Sequence, residues 1–337
     1  MQSHQIESES FIHGFGNVKH RNADGRDAYN FSAGPCVLPK AVLNKCQEEM
    51  FNYKGCGQSV MELSHRQDEF RHISTSTKDE IRKFLQVPDN YRVLLQQGGA
   101  TMQYTSIAKN LLSLKPGRKL NMLVTGLWSC QSFDEFSKFC DVNVVANNVQ
   151  ANDCTKMVDY SDWKVDPNAS FFYMCSNETV NGFEFDENTF PWHLIPDDMP
   201  VIADMSSNVG TKPVRWDKYA MIFMGAQKNL GAAGCTVMVI REDLFGHADK
   251  DCPILCDWTL HEKSPDTYYN TPAIYPMYVT GMNVSYMNQM GGISHYEKLA
   301  HQRGKILWSF IDSTNGYYKS KISDKNYRSR INVIFRI

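Results

Sequence analysis

Residues 200–241 read PVIADMSSNVGTKPVRWDKYAMIFMGAQKNLGAAGCTVMVIR. Three apolar runs in this stretch, PVIADM, YAMIFMG and CTVMVI, are typical of buried strands. Asp204 ends the first run, and Lys228 follows the second in the glycine-flanked segment GAQKNLG. Since the active groups of such sheets gather at the carboxyl ends of strands, we expect this carboxylate and this amine to lie at one edge.

The same pattern extends towards the N-terminus, where further apolar runs read YRVLLQ, NMLVTG, VNVVAN and SFFYMCS. Segments with helical spacing lie before and between them, such as DEFRHISTSTKDEIRKFLQ and MQYTSIAKNLLSL. Near-continuous apolar runs that alternate with such connections favour an α/β fold, with a mainly parallel sheet covered on both faces. From Tyr275 onward the segments are helix-like and indicate a connector into a smaller C-terminal domain.

Composition narrows the class of protein. The 337 residues carry 35 Lys and Arg against 37 Asp and Glu, a balance that argues against a nucleic-acid partner. No apolar stretch approaches the roughly 18 residues of a membrane span, and the acidic start MQSHQIESES does not resemble a signal peptide. Ten scattered cysteines without CxxC spacing predict reduced thiols, no metal site and a cytoplasmic protein. Residues 1–28 are polar and aperiodic, which predicts a flexible extension.

Asp204 and Lys228 each allow two interpretations. A lysine between glycines is usually solvated, and an aspartate after a strand often caps a turn or a helix. Together, however, an amine and a carboxylate can serve the two ends of one pyridoxal phosphate ring. The lysine would form a Schiff base with the aldehyde, and the aspartate would keep the pyridinium nitrogen protonated.

Other candidate residues are equally ambiguous when taken alone. The glycine turn at 98–101 can hold an anion at a helix start or can serve packing only. Trp128 suits a core position or a plate stacked on a flat ring, and Thr179 suits a turn cap or a hydroxyl that binds a cofactor oxygen. His65 and Arg66 fit a solvated helix start or a fork for a phosphate or carboxylate.

Eight motifs occur in one order over residues 29–337: NFSAGPCVLP, QSVMELSHR, LLQQGGAT, SNET, ADMSSN, GAQKNLGAAG, VIREDL and YNTPA. In this order and spacing they resemble the phosphoserine aminotransferases, within the class V, fold type I family of pyridoxal phosphate enzymes. GAQKN together with YNTP is the specific part of the match. The resemblance implies a mainly parallel seven-stranded sheet flanked by helices in a large domain over 29–290, whose first residues pack with the small domain. A partial α+β small domain would follow over 291–337.

The resemblance also implies roles for individual residues and a homodimer with shared active sites. Lys228 would form the Schiff base and Asp204 would face the pyridine nitrogen. Trp128 would stack on the ring, with Thr179 and Gln227 as further cofactor contacts. The residues implied to bind phosphate groups are Ala100 and Thr101 for the cofactor through their backbone, Asn270 and Thr271 for the cofactor of the neighbouring subunit, and His65 and Arg66 for the substrate.

The implied reaction is reversible amino transfer between glutamate and 3-phosphohydroxypyruvate, which gives 2-oxoglutarate and O-phosphoserine in serine biosynthesis. Family members continue beyond the final FRI of this chain, into a segment with further substrate-binding His and Arg residues. Two alternatives therefore stay open at this point. One is an impaired, truncated form that binds pyridoxal phosphate and dimerises, and the other is a different class V enzyme.

Overall fold

The computed structural model describes residues 29–263 and 268–337, so the extension expected over residues 1–28 lies outside the described residues. One sheet of seven strands dominates this part of the chain, in the order β1-β9-β8-β7-β4-β2-β3. Its strands are β1 Tyr91–Gln96, β2 Leu120–Val124, β3 Val142–Asn147, β4 Phe171–Cys175, β7 Val201–Asp204, β8 Met221–Gly225 and β9 Thr236–Arg241. Two hairpins complete the strands, formed by β5 Asn177–Glu178 with β6 Phe183–Glu184, and by β10 Lys319–Ser320 with β11 Phe335–Arg336.

The main sheet is mixed but mostly parallel. The pairs β2–β3, β2–β4, β4–β7 and β7–β8 are parallel, whereas β9 runs antiparallel to both of its neighbours, β8 and β1. Strand β1 therefore points the same way as the parallel strands. The expected seven-stranded, mainly parallel sheet is confirmed, and six strands end at one edge.

Helices cover both faces of this sheet, which explains why the strand sequences are apolar at nearly every position. On β4, Phe172 packs into one hydrophobic cluster, while Phe171 and Tyr173 pack into the other. The helices are α1 Lys40–Glu48, α2 Asp68–Leu85, α3 Gly99–Leu111, α4 Leu127–Phe136, α5 Asn148–Asn152, α6 Trp258–Glu262, α7 Ile274–Gln289 and α8 Gly292–Ser313. No helix among the described residues is long and apolar enough to cross a membrane.

The C-terminal segment contacts the large sheet region through buried polar groups. The backbone N–H of Arg330 donates to Glu184 Oε2 over 2.9 Å, and Asn177 Nδ2 donates to Asn332 Oδ1 over 2.8 Å. These bonds attach the segment after α8 to the β5–β6 hairpin. The domain boundary at residue 290 stays a prediction.

Candidate active site

Asp204 and Lys228 are brought to one edge by strand pairing. Strands β7 and β8 are parallel neighbours, with Asp204 in register with Phe223, and Lys228 follows in the connection from β8 to β9. Asp204 is 5% exposed. The carboxylate thus lies at the carboxyl end of a buried strand, beside the segment that holds the amine.

The surroundings of Asp204 are mostly apolar, with a few polar contacts. The backbone N–H of Ser206 donates to Oδ1 over 2.9 Å, and the Tyr104 hydroxyl lies 3.5 Å from Oδ2. Burial raises the pKa of Asp204 above its ordinary value, although the Ser206 bonds and the charge of Lys228 oppose that shift. A buried carboxylate of this kind favours a positively charged partner.

Lys228, Thr179 and Trp128 meet although they come from three different segments. Lys228 Nζ donates to Thr179 Oγ1 over 2.7 Å and lies 5.4 Å from the centre of a Trp128 ring. Thr179 follows β5, and Trp128 lies in the first turn of α4, so both are held by elements that continue from strand ends. The arrangement presents an amine, a hydroxyl and a flat aromatic face to the same place.

The turn after β1 places the first N–H groups of α3 at the same edge. Gly98 has φ +85°, and a Cβ there would lie 2.4 Å from Met102 Cβ, so the position requires glycine. Ala100 and Thr101 follow in the first turn of α3, where no side chain of the described residues caps the helix. Such N–H groups and the helix dipole together favour an anion.

Gln227 lies next to Lys228, and its carbonyl accepts the N–H of Cys36 over 2.8 Å. Burial is the larger influence on the Cys36 thiol and raises its pKa, while the positive charge of Lys228 opposes that effect. Residues 32–36, SAGPC, therefore reach the edge of the sheet that carries Lys228. The pattern of strands does not predict that this segment lies near Lys228.

His65 and Thr271 form a second group, which no local residue pattern connects. His65 Nδ1 and Thr271 Oγ1 lie 2.9 Å apart, although 206 positions separate them. Arg66 and Thr271 are exposed, and Asn270 is adjacent. Among the described residues, no hydrogen bond or ion pair joins this group to Lys228 or Asp204.

The donors and acceptors at this edge fit pyridoxal phosphate. Trp128 Nε1 is buried and has no hydrogen-bond partner among the described residues, so an acceptor atom of a ligand can satisfy it. The free N–H groups of α3 suit the phosphate, the Lys228 amine suits the aldehyde and the Asp204 carboxylate suits the ring nitrogen. Cofactors with no anionic group would leave the α3 terminus unused.

Sequence reasoning missed three residues that hold this site together. Ser206 and Tyr104 contact Asp204, and Glu178 contacts the start of α4. Glu178 belongs to the SNET motif, but the sequence predicts a role only for its neighbour Thr179. No described group of three or more His, Cys, Asp or Glu residues could hold a metal ion.

Comparison with known proteins places the chain in a family. The family model described as "Aminotransferase class-V" matches residues 28–337. The phosphoserine aminotransferase of Herminiimonas arsenicoxydans is 40% identical over 91% of this chain and 82% of its own length, and that of Ralstonia nicotianae is 40% identical over 91% and 80%.

Two solved phosphoserine aminotransferases are similar as well. The enzyme of Bacillus circulans subsp. alkalophilus has a TM-score of 0.84 at 31% identity, covering 92% of this chain and 83% of that one. The pyridoxal-phosphate-bound enzyme of Trichomonas vaginalis has a TM-score of 0.82 at 35% identity, covering 90% and 82%. The chain belongs to the class V aminotransferases and is similar to their phosphoserine aminotransferase members.

Proposed function

We propose that this chain catalyses reversible amino transfer between glutamate and 3-phosphohydroxypyruvate, giving 2-oxoglutarate and O-phosphoserine, in serine biosynthesis. It is a pyridoxal-phosphate-dependent transaminase. The observation that carries the proposal is the meeting of Lys228 Nζ with Thr179 and the Trp128 ring, beside the buried carboxylate of Asp204. When bound, pyridoxal phosphate supplies an aldehyde that reacts with amines and a ring that withdraws electrons from the substrate Cα.

Each residue at the edge of the sheet would have a separate role in the reaction. Lys228 would hold the cofactor through Nζ and then move a proton to and from the substrate Cα. Asp204 would keep the ring nitrogen protonated, because a buried carboxylate favours a cation beside it. Thr179 Oγ1 orients Nζ, and the Trp128 ring would cover one face of the cofactor. Gln227, next to Lys228, would supply a further cofactor contact.

Ala100 and Thr101 would bind the cofactor phosphate through their backbone N–H groups. These groups lie in the first turn of α3, where the helix dipole adds a favourable field for an anion. This contact does not depend on side-chain identity. Substitutions that keep the helical backbone should therefore be tolerated at these two positions.

We also propose a homodimer in which Asn270 and Thr271 complete the partner's site at the cofactor phosphate. Because Thr271 contacts His65 within one chain, His65 and Arg66 would belong to the same shared site and bind the substrate phosphate. The separation of this group from Lys228 and Asp204 in hydrogen bonding among the described residues supports this assignment. A cytoplasmic location is proposed as well, supported by all ten cysteines being unpaired.

The central test replaces Lys228 with Ala and uses the exposed Lys250→Ala as a matched control. We expect Lys228→Ala to lose transamination and the visible absorbance of bound cofactor, while Lys250→Ala behaves as the wild type. The assay offers O-phosphoserine, alanine and cysteine as separate amino donors. Normal turnover by Lys228→Ala, or a preference for either unphosphorylated donor, would contradict the proposed function.

The shared site is tested by mixing two inactive variants. Lys228→Ala and Arg66→Ala chains, carrying different tags, are coexpressed and the mixed dimer is purified. If Arg66 serves the partner, one site of the mixed dimer receives both native residues and activity returns. Failure to recover any activity in a verified mixed dimer would place Arg66 in its own chain's site.

A further inference from the structure

Glu178 is a fully buried acid, 0% exposed, at the end of β5. Its Oε2 accepts the backbone N–H of Trp128 over 3.0 Å. Its Oε1 accepts the N–H of Ser129 over 3.0 Å, the Ser129 hydroxyl over 2.6 Å and the Thr125 hydroxyl over 3.4 Å. All of these donors belong to the junction between β2 and α4. The carboxylate therefore binds the first turn of the helix that carries Trp128.

This carboxylate has no ion pair among the described residues, which is unusual for a buried acid. Burial raises the pKa of Glu178, and the Ser129 and Trp128 donors oppose that rise. The N-terminus of α4 adds its dipole in favour of a negative charge. The hydrogen bonds to both carboxylate oxygens hold the two elements in one geometry.

Gly126 allows the carboxylate to approach the helix so closely. A Cβ at Gly126 would lie 2.6 Å from Glu178 Cδ and 2.5 Å from Asn181 Oδ1. Asn181 Oδ1 also accepts the N–H of Leu127 over 2.9 Å. Residues 178–181 thus engage the start of α4 at several consecutive backbone positions.

Thr179, the first residue after β5, connects this contact to the reactive amine. Thr179 Oγ1 accepts from Lys228 Nζ over 2.7 Å, while Glu178 holds the Trp128 backbone. Two consecutive residues therefore fix Lys228 and Trp128 relative to each other. The separation of 5.4 Å between Nζ and the Trp128 ring depends on this short segment.

We propose that Glu178 is a positioning residue, which sets the place of the Trp128 ring against the cofactor by anchoring the first turn of α4. The inference rests on the proposed roles of Trp128 and Lys228 and extends them. Glu178 would act through the helix backbone, because both of its carboxylate oxygens accept hydrogen bonds from residues 125–129.

The first test compares Glu178→Gln with the wild type in the full chain. Gln has nearly the same shape, but its NH2 group replaces one carboxylate oxygen and cannot accept the backbone N–H which that oxygen accepts. We expect the dissociation constant for pyridoxal phosphate, measured by titrating the apoprotein, to rise by about tenfold. The visible circular dichroism of the bound cofactor should weaken, because the stacked ring is displaced.

Two further variants separate positioning from folding. Glu187→Gln replaces another buried acid, whose side chain contacts Lys212 and Tyr219, and we expect unchanged cofactor affinity there. Glu178→Asp keeps the charge on a shorter side chain, so its affinity should fall between Glu178→Gln and the wild type. This second variant keeps the test decisive if Glu178→Gln does not fold.

A double-mutant cycle with Trp128→Ala decides whether Glu178 acts through Trp128. In the Trp128→Ala background, Glu178→Gln should have little further effect on cofactor affinity. Additive effects, or wild-type affinity and circular dichroism in Glu178→Gln and Glu178→Asp, would overturn the inference. Failure of the wild type itself to bind pyridoxal phosphate would instead overturn the proposed function, so the two failures are distinguishable.

Discussion

Replacing Asp204 with Asn should make the apoprotein more stable at pH 7 while abolishing activity. Burial raises the pKa of Asp204, so the native state binds a proton at a pH where the unfolded chain has released it. Stability consequently falls as the pH rises through this window, and the full cost remains above the folded pKa. Asn removes the ionisable group and with it this cost.

The magnitude follows from the contacts of the carboxylate. Desolvation of a buried ion costs several kcal/mol, whereas the charged hydrogen bond from the Ser206 N–H returns about 1.5–3 kcal/mol. The Tyr104 hydroxyl, at 3.5 Å, adds little, and the positive charge of Lys228 offsets a further part of the cost. We expect a net gain of about 1 kcal/mol in the free energy of unfolding, which raises the melting temperature of the apoprotein by about 2 °C.

The assay is thermal and urea unfolding of the apoprotein at a series of pH values from about 3.5 to about 8, a range that includes the ordinary Asp pKa of about 3.9. The gain should shrink as the pH falls to that value and below it, because the unfolded chain then becomes protonated as the native state already is. Asp197→Asn, at an exposed position, is the control and should leave stability unchanged. A destabilised Asp204→Asn apoprotein at pH 7, or a gain that persists at the lowest pH, would refute the reasoning.

Two further substitutions probe the same edge. Thr179→Val removes the acceptor for Lys228 Nζ, and we expect kcat to fall by about tenfold in steady-state kinetics. The pH profile of the cofactor absorbance, measured by spectral titration, should also shift. An unchanged profile would contradict a role for this contact. Gly98→Ala introduces a Cβ at φ +85°, 2.4 Å from Met102 Cβ, and should cost about 1–3 kcal/mol in urea unfolding together with weaker cofactor binding. Unaltered stability and binding would show that the turn adapts.

The sequence predicts the sheet well because burial on both faces leaves a direct mark, an apolar residue at almost every strand position. It also predicts that Asp204 and Lys228 share an edge, since parallel strands bring their carboxyl ends together. The antiparallel direction of β9 leaves no such mark in the sequence. An antiparallel strand buried on both faces has the same composition as a parallel one.

Contacts between distant segments could not be predicted from residue patterns. His65 and Thr271 are 206 positions apart, and nothing local to either residue indicates the other. Glu178 is similar, because its partners Trp128 and Ser129 lie on another element. A pattern shows which residues are buried, but the partner of a buried polar group depends on how the elements pack.

Backbone hydrogen bonds beside the reversed strand β9 hold the connection that carries Lys228. The N–H of Ala226 donates to the carbonyl of Cys235 over 2.9 Å, and the N–H of Gly231 donates to the carbonyl of Ala226 over 2.6 Å. These bonds pin the connection that carries Lys228, while Asp204 is fixed by the pairing of β7 with β8. The amine and the carboxylate are thus positioned by backbone hydrogen bonds before any ligand binds, the arrangement that electrostatic catalysis requires.

Two buried carboxylates, Asp204 and Glu178, raise the electrostatic cost of folding at this edge of the sheet. The negative charge of Asp204 adds to the effect of burial and helps raise the pKa of Glu178. A cation placed beside Asp204 would relieve the cost at both acids at once. Cofactor binding should therefore raise the free energy of unfolding by more than its contact area alone would contribute. That extra stabilisation should decline in Asp204→Asn, where the carboxylate charge is absent.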